Sequence, residues 1–230
     1  MSKPLPAATL CLLKRADTGI EVFLMRRRKG GTFSGLHVFP GGVVDHADNV
    51  LPLVNPIPQA IAMRTRARFS SRPSTEGFWV AAIRETFEES GMLLAYDKDQ
   101  RFLAGDPDIY AKERVELNNK SLEFNDFVLN NELTLATDRL SYMSRKVTPT
   151  YVPRRFDTHF FVAEVPPTSH GSPCTLELEA GFWISPDQAL MRAKHDIQMV
   201  HPTLKTLEAL RKFDHPQDVV EHYLNRWGGA

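Results

Sequence analysis

The sequence predicts an α/β or α+β fold, a class in which strands and helices share one core. Three observations support this prediction: strand-like apolar runs before residue 27 and again between 155 and 184, one helix with clear apolar periodicity between them, and a series of helical segments at the carboxyl end. The 230 residues, of which 42% are hydrophobic and 24% charged, can bury a core without disulfide staples. This length allows one large domain or two small ones; of the two, we expect a single domain over residues 1–230.

The first two strands are predicted to form a hairpin. Residues 8–13 and 21–26 are apolar runs of strand length, and Asp17-Thr18-Gly19 between them is typical of a hairpin turn. A glycine-rich stretch at 30–35 and the turn Pro40-Gly41-Gly42 follow before the composition changes.

Residues 46–75 differ from their surroundings and predict an inserted segment. They are rich in proline, contain Asp48 as their single acidic residue, and their apolar residues are too scattered to form a core. The arginines of this segment are Arg64, Arg66, Arg68 and Arg72. A solvated basic loop and a surface that contacts substrate phosphates explain these arginines equally well.

The clearest helix is predicted at 78–94. Val80, Ile83 and Phe87 recur at helical spacing on one face, and Gly91 lies near the end. The remaining elements are expected as less regular helices at 108–131 and 134–145, strands at 155–165 and 176–184, and helices at roughly 186–194, 202–212 and 217–226. Strands and helices thus interleave along the whole chain.

The charge balance excludes two classes of partner for the protein as a whole. The 28 Lys and Arg residues equal the 28 Asp and Glu residues, whereas general binding to nucleic acid or to an acidic membrane requires a basic excess. No apolar run reaches the length of a membrane span. The amino end does not have the pattern of a signal peptide, and the carboxyl end does not carry a peroxisomal signal of the Ser-Lys-Leu kind. We expect a cytoplasmic protein.

Three glutamates on the central helix indicate a metal site. Glu85, Glu88 and Glu89 fall within one narrow sector of the helix, where like charges repel one another. Mg²⁺ and similar hard cations prefer carboxylate oxygens together with water and substrate phosphates. The alternative is a solvated acidic helix face.

The surroundings of these glutamates resemble the Nudix hydrolase family, whose box reads G-x5-E-x7-R-E-U-x-E-E-x-G-U. The matching residues are Glu76, Arg84, Glu85, Glu88, Glu89, Gly91 and Met92. Thr86 replaces the first bulky apolar residue. Gly42 precedes Arg84 by 42 residues rather than by 14, so the basic insertion splits the box.

Other segments resemble one subgroup, the Nudix motif 19 proteins. These segments are residues 24–27, residues 35–42, Thr148-Pro149 and residues 154–161. The animal members of that subgroup hydrolyse coenzyme A and acyl-coenzyme A in peroxisomes, although their terminal peroxisomal signal is missing here. The resemblance implies a Nudix fold, with a mixed β-sheet sandwiched between α-helices.

The resemblance also implies a set of site residues. Glu85, Glu88 and Glu89 would bind Mg²⁺ or Mn²⁺, either Glu88 or Glu89 would be the general base, and Arg84 would belong to the catalytic group by orienting the glutamates. The turn at Gly41 and Gly42 would bring backbone close to the metal and substrate. Glu76, Glu177 and Glu179 are candidates for an additional carboxylate.

Arg26, Arg154 and Arg155 are the predicted contacts to substrate phosphates, because Arg binds phosphate through a bidentate fork. For Arg154 and Arg155 the alternative is a structural ion pair with Asp157.

The expected substrate is a small nucleotide-type molecule rather than a nucleic acid polymer or a membrane. Coenzyme A or acyl-coenzyme A would give 3′,5′-ADP and an (acyl-)phosphopantetheine. ADP-ribose, NADH or a nucleotide sugar is an alternative substrate, and a non-catalytic nucleotide sensor is an alternative function. The oligomeric state stays open, with a homodimer among the alternatives.

Overall fold

A computed structural model of the chain describes residues 3–30, 34–51, 53, 57, 75–174 and 178–228. The four arginines of the predicted insertion and Glu177 lie outside the described residues. The strands are β1 (Leu5–Ala16), β2 (Gly19–Arg27), β3 (His37–Val38), β4 (Gly41–Val43), β5 (Ala95–Tyr96), β6 (Thr134–Leu135), β7 (Ser141–Val147), β8 (Phe156–Glu164) and β9 (Leu178–Ile184). The helices are α1 (Thr75–Ser90), α2 (Ala111–Asn118), α3 (Phe124–Asn130), α4 (Pro186–Arg192), α5 (His201–Leu210) and α6 (Pro216–Gly228).

Seven of these strands form one mixed sheet. Its main order is β3-β2-β1-β8-β7, with β4 also paired to β1 and β9 also paired to β2. β1 and β2 form the predicted hairpin, and β1 runs parallel to β8 on its other edge. Because β4 pairs with the start of β1, the Gly41-Gly42 turn is brought into the centre of the sheet.

The sheet is covered by helices on both faces. In β1, Leu10 and Leu12 belong to the core that contains the apolar face of α1, whereas Cys11 and Leu13 belong to the core that contains Leu207 of α5. Strands buried on both faces read as continuous apolar runs rather than as alternating ones. The sandwich of a mixed sheet between helices matches the predicted fold class.

Helix α1 ends earlier than the apolar pattern predicts. Gly91 has φ of +78°, a left-handed conformation that glycine adopts at helix ends without steric cost. A Cβ atom there would also lie 2.8 Å from Cβ of Pro107. The apolar residues at 92–94 are fully buried beyond the helix, which is why the pattern continues after the helix stops.

The helix predicted at 134–145 is wrong. This stretch contains β6, a 3₁₀ turn at Thr137–Arg139 and most of β7. The pairing of β7 with β8 shifts register between Tyr142 and Ser144, so Met143 is an extra residue in the strand. Such a bulge breaks the period-two alternation by which a strand is recognised.

The insertion begins inside the folded core. Leu51 and Ile57 are each 7% exposed and belong to the core around α1, although the sequence predicted that this segment contributes no core. Asn125 of α3 donates a hydrogen bond to the carbonyl of Ala47, and the side chain of Asn49 lies against Gly77 of α1.

In the described part of the chain, no helix combines the length and the apolar character that a membrane crossing requires.

Candidate active site

The carboxyl-terminal half of α1 places the three predicted glutamates against strand β4. The side chains of Glu88 and Glu89 are 10% and 8% exposed, and that of Glu85 is 16% exposed. Carboxylates are almost never buried to this degree unless they are paired. Their partners therefore define the site.

Arg84 is the central partner of these carboxylates. Its Nη1 atom lies 2.9 Å from Oε1 of Glu85 and 3.5 Å from Oε2 of Glu88. Its Nη2 atom donates to the carbonyl of Val43, and Nε and Nη2 bind the carboxylate of Asp48 at 2.8 and 3.0 Å. The guanidinium is thus surrounded by protein groups, a geometry that favours the orienting role implied by the resemblance.

Asp48 is a site residue that the sequence reasoning missed. It is 1% exposed, and its Oδ2 atom also accepts a hydrogen bond from the backbone N–H of Asp45. Because Asp48 lies in the insertion, 36 positions before Arg84, no box spacing indicates the contact. The available signal was its isolation as the single acid in a basic segment.

Gly41 and Gly42 allow strand β4 to touch both α1 and β1. The backbone N–H of Gly41 donates to Oε2 of Glu89 at 2.8 Å. A Cβ atom at Gly41 would overlap the backbone of Ala8 and Thr9, and one at Gly42 would overlap the carboxylate of Glu85. The close backbone approach expected for this turn is therefore present.

Arg27 binds the other oxygen of Glu89. Its Nη1 atom lies 3.2 Å from Oε1 of Glu89, and both side chains are mostly buried. Arg26, the residue predicted as a phosphate contact, is adjacent on the strand, and its side chain therefore points to the opposite face of the sheet. There Arg26 pairs with Glu179 at 3.2 Å.

Helix α2 supports the end of α1. Arg114 and Asn118 donate hydrogen bonds of 3.0 and 3.1 Å to the carbonyl of Glu88, and Lys120 lies 3.9 Å from the Glu88 carboxylate. The sequence does not indicate these three contacts, because the irregular apolar pattern of this helix does not show which face meets α1.

Burial raises the pKa of two of the glutamates. The pKa of Glu85 rises to about 7 because the group is desolvated, although the nearby Arg84 opposes the rise. Burial also raises the pKa of Glu88, against the opposing charges of Arg84 and Lys120. These carboxylates are therefore short of positive charge, and a further cation would favour their ionised forms.

A cleft of about 1300 Å³ opens beside these residues, and we call it the main cleft. Its lining includes Glu85, Glu89, Gly41 and Gly42. The cations in its lining are Arg27, Arg28, Lys29, Lys146 and Arg154, and its apolar wall includes Val147, Tyr151, Val152 and Phe156. The cleft thus combines acidic, basic and apolar surfaces.

Of the other predicted site residues that the structure describes, one lines the main cleft and four do not. Among the described residues, Arg154 lines the main cleft, whereas Arg26, Arg155, Glu76 and Glu179 do not. The Nε atom of Arg155 donates to the carbonyl of Thr148. Glu76 is exposed in the first turn of α1, about 13 Å along the helix from Glu85.

The alternative role predicted for Arg154 and Arg155 is an ion pair with Asp157. In the structure, the arginine that binds Asp157 with two hydrogen bonds of 2.6 Å is Arg145 of β7.

The donor chemistry of the three glutamates fits Mg²⁺ or Mn²⁺, since all their ligand atoms are carboxylate oxygens. Within the described residues, no three Asp, Glu, His or Cys side chains already converge on one point. Glu85 and Glu88 bind Arg84 instead, and Glu89 binds Gly41 and Arg27. Metal binding at this cluster therefore requires the carboxylates to exchange some of these hydrogen bonds for the cation.

Comparisons with known proteins agree with this geometry. The NUDT19 Nudix domain matches residues 6–210. The chain is 30% identical over 183 residues to nudix hydrolase 7 of Caenorhabditis elegans. The matched region covers 79% of this chain and 52% of that protein. It is 36% identical over 93 residues to the Gallus gallus acyl-coenzyme A diphosphatase NUDT19. This second match covers 32% of this chain and 25% of that protein. The chain thus spans about half the length of the first of these relatives and a quarter of the second.

Solved structures show the same fold. A Nudix hydrolase from Alicyclobacillus acidocaldarius superposes with a TM-score of 0.78 at 26% identity, covering 96% of this chain and 97% of that one. The Nudix domain of Shewanella oneidensis NrtR, solved with ADP-ribose, gives a TM-score of 0.50 at 11% identity, covering 92% and 89%. From the domain match, the structural likeness and the arrangement of α1 against β4, we conclude that the chain belongs to the Nudix hydrolase family.

Proposed function

We propose that this protein is a metal-dependent hydrolase that cleaves the diphosphate bond of a nucleoside diphosphate linked to another group. The observation that carries the proposal is the buried Arg84–Asp48 pair, which holds Glu85 and Glu88 near Glu89. Of these three glutamates, Glu85 and Glu89 line the main cleft. Buried charges in such a network are costly unless they are fully paired. The position of Glu85 and Glu89 in the lining of a large cleft supports a catalytic role for the network rather than a purely structural one.

Glu85, Glu88 and Glu89 would hold Mg²⁺ or Mn²⁺. When bound, such a cation neutralises charge on the diphosphate and lowers the pKa of a bound water. Arg84 and Asp48 lie outside the lining of the cleft, so their role would be to orient the carboxylates.

Glu89 is the better candidate for the general base. Glu89 lines the main cleft, whereas Glu88 does not appear in its described lining. The hydrogen bond from Gly41 and the ion pair with Arg27 hold the Glu89 carboxylate in place at the cleft. A base must lie within hydrogen-bond reach of the water it activates, and only a group at the cleft surface meets that requirement.

Arg27, next to Glu89, and Arg154 would bind the substrate phosphates within the cleft. Both line it, and a guanidinium matches phosphate oxygens with two parallel hydrogen bonds. Arg27 would replace Arg26 in this role, because Arg26 points away from the cleft.

For the substrate, we propose coenzyme A or acyl-coenzyme A, giving 3′,5′-ADP and the corresponding phosphopantetheine. The match to the NUDT19 Nudix domain and the acyl-coenzyme A diphosphatase named among the relatives support this choice. The apolar wall formed by Val147, Tyr151, Val152 and Phe156 suits the long pantetheine arm. ADP-ribose, NADH and nucleotide sugars are the competing substrates. The metal-ligand carboxylates argue against a sensor that only binds nucleotides.

The decisive variant is Glu89→Gln, assayed with coenzyme A and Mg²⁺ or Mn²⁺. We expect kcat to fall on the order of 10²- to 10⁴-fold, because glutamine cannot accept a proton. Its amide oxygen can still accept the Gly41 hydrogen bond, whereas its NH2 group cannot accept from Arg27, so we expect the circular dichroism spectrum to hold and Tm to fall modestly. Glu221→Gln, at an exposed position on α6, is the matched control and should keep full activity. Full activity in Glu89→Gln would refute the proposed role.

The substrate is tested with one panel of compounds at equal concentration: coenzyme A, acyl-coenzyme A, ADP-ribose, NADH and a nucleotide sugar. We expect the highest kcat/KM for coenzyme A or its acyl form, measured by separating the products. A higher value for any other compound would replace our substrate assignment while leaving the hydrolase activity in place. The cytoplasmic location and the homodimer stay predictions.

A further inference from the structure

A second, smaller cavity lies on the other face of strand β2. It has a volume of about 360 Å³, and Arg26, Lys29, Ser34, His37 and Asp196 are among its lining residues. We call it the side cavity. Ser34 and Gly35, which follow β2, are part of its lining, and the proposed reaction does not use them.

The side cavity offers hydrogen-bond donors to an anion. The amine of Lys29 has no ion-pair partner among the described residues, and Arg26 shares its charge with Glu179 while remaining 44% exposed. The hydroxyl oxygen of Ser34 accepts a hydrogen bond from Gly30 N–H, which leaves its own O–H free to donate. The one carboxylate in the lining, Asp196, is already paired with Arg192.

Lys29 connects this cavity with the site of the proposed reaction. It lines both the side cavity and the main cleft. Of two adjacent residues on β2, Arg27 lines the main cleft and Arg26 lines the side cavity. A single extended ligand with two separated anionic groups can therefore contact both cavities past Lys29.

We propose that the side cavity binds a phosphate monoester of the substrate, separate from the diphosphate that is cleaved. This inference rests on the proposed function, and it narrows the substrate class to dinucleotide-like diphosphates that carry an additional phosphate on the ribose. A phosphate monoester carries up to two charges and three acceptor oxygens, which match the Lys29, Arg26 and Ser34 donors. Coenzyme A, with a 3′-phosphate, and NADPH, with a 2′-phosphate, share this chemistry.

The experiment compares substrates that differ only in this phosphate. We expect kcat/KM for coenzyme A to exceed that for 3′-dephospho-coenzyme A by about 10-fold or more, since charge-assisted hydrogen bonds are the strong ones. In Lys29→Met the ratio should approach one. Lys146→Met is the matched control: Lys146 lines the main cleft but not the side cavity, so both substrates should lose efficiency alike and the ratio should persist.

The NADPH and NADH pair, treated in the same way, distinguishes the two ribose positions. The inference is supported if, in either pair, kcat/KM is higher for the compound with the additional phosphate and Lys29→Met abolishes this difference. Equal efficiencies within both pairs in the unmodified protein, or an undiminished ratio in Lys29→Met, would overturn it while leaving the hydrolase in place.

A binding measurement separates this inference from the proposed activity. Calorimetric titration with 3′,5′-ADP and with 5′-AMP requires no turnover, and the two ligands differ by one phosphate. We expect 3′,5′-ADP to bind at least about 10-fold more tightly, with the preference lost in Lys29→Met. Failure to hydrolyse any diphosphate together with an intact preference would refute the proposed function alone. Equal binding of the two nucleotides would refute the side-cavity assignment alone.

Discussion

At the residue scale, two adjacent glycines bring strand β4 into contact with its neighbours for different reasons. Gly41 lies against the backbone of Ala8 and Thr9, which cannot yield without breaking the β1–β4 pairing. Gly42 lies against the carboxylate of Glu85, the far end of a side chain that can rotate away. The same substitution at the two positions should therefore have separable effects on folding and on the site.

We expect Gly41→Ala to destabilise the protein by about 2–3 kcal/mol, which lowers Tm by roughly 5–10 °C. Gly42→Ala should leave Tm nearly unchanged but reduce activity by about 10-fold or more, because the new methyl group displaces the Glu85 carboxylate. Thermal denaturation and steady-state kinetics on both variants test this difference. Full activity in Gly42→Ala would contradict the proposed role of Glu85.

At the element scale, a buried ion pair attaches the first turn of the insertion to helix α1. Asp48 and Arg84 are both buried, and two hydrogen bonds join them. Asp45 is also within 3.7 Å of Arg84, but its side chain is 60% exposed. Buried and exposed ion pairs differ strongly in energy, because removal of one buried partner leaves an uncompensated charge.

Asp48→Asn should therefore lower the free energy of unfolding by about 3 kcal/mol, and Asp45→Asn by less than about 0.5 kcal/mol. Because Asp48 orients Arg84 without lining the cleft, kcat should fall in Asp48→Asn while KM changes little. Denaturant titration and kinetics measure the two effects. Equal changes in both variants would show that Asp48 is not the specific anchor of α1.

At the scale of the whole molecule, a buried histidine joins the sheet to α1. His159 of β8 is fully buried, its Nδ1 atom lies 3.2 Å from the Tyr142 hydroxyl, and its ring packs 4.3 Å from that of Phe78. Burial lowers its pKa to about 3, although Asp157 opposes the shift and Arg145 adds to it. The folded protein therefore keeps this imidazole neutral, whereas the unfolded chain protonates it near pH 6.5.

Stability should consequently fall as the pH decreases from about 6.5 towards 3, since the unfolded state binds more protons in that range. His159→Gln should make the dependence shallower by up to about 1.4 kcal/mol per pH unit. His170→Gln, at an exposed position, is the control and should follow the unmodified protein. Denaturant unfolding at pH 7, 6 and 5 measures the slopes, and parallel curves for His159→Gln and the unmodified protein would contradict the prediction.

The elements whose sequence signals are local were predicted well. The β1–β2 hairpin follows from its turn residues, α1 from its apolar spacing, and α4 from Ser185, whose hydroxyl accepts the hydrogen bond of Gln188 N–H. The prediction of a helix at 134–145 is wrong because the bulge at Met143 hides the alternation of β7. A local pattern reports a strand only while its register is regular.

For the site, the sequence by itself determined that three glutamates share one face of α1 and that Arg84 precedes them, since helical geometry fixes side chains a few positions apart. Only the tertiary structure decided that Asp48 holds Arg84, that Arg27 rather than Arg26 meets Glu89, and that Lys29 joins two cavities. These contacts join residues tens of positions apart. They depend on strand register and on the pairing of β4 with β1, which no spacing within one element contains.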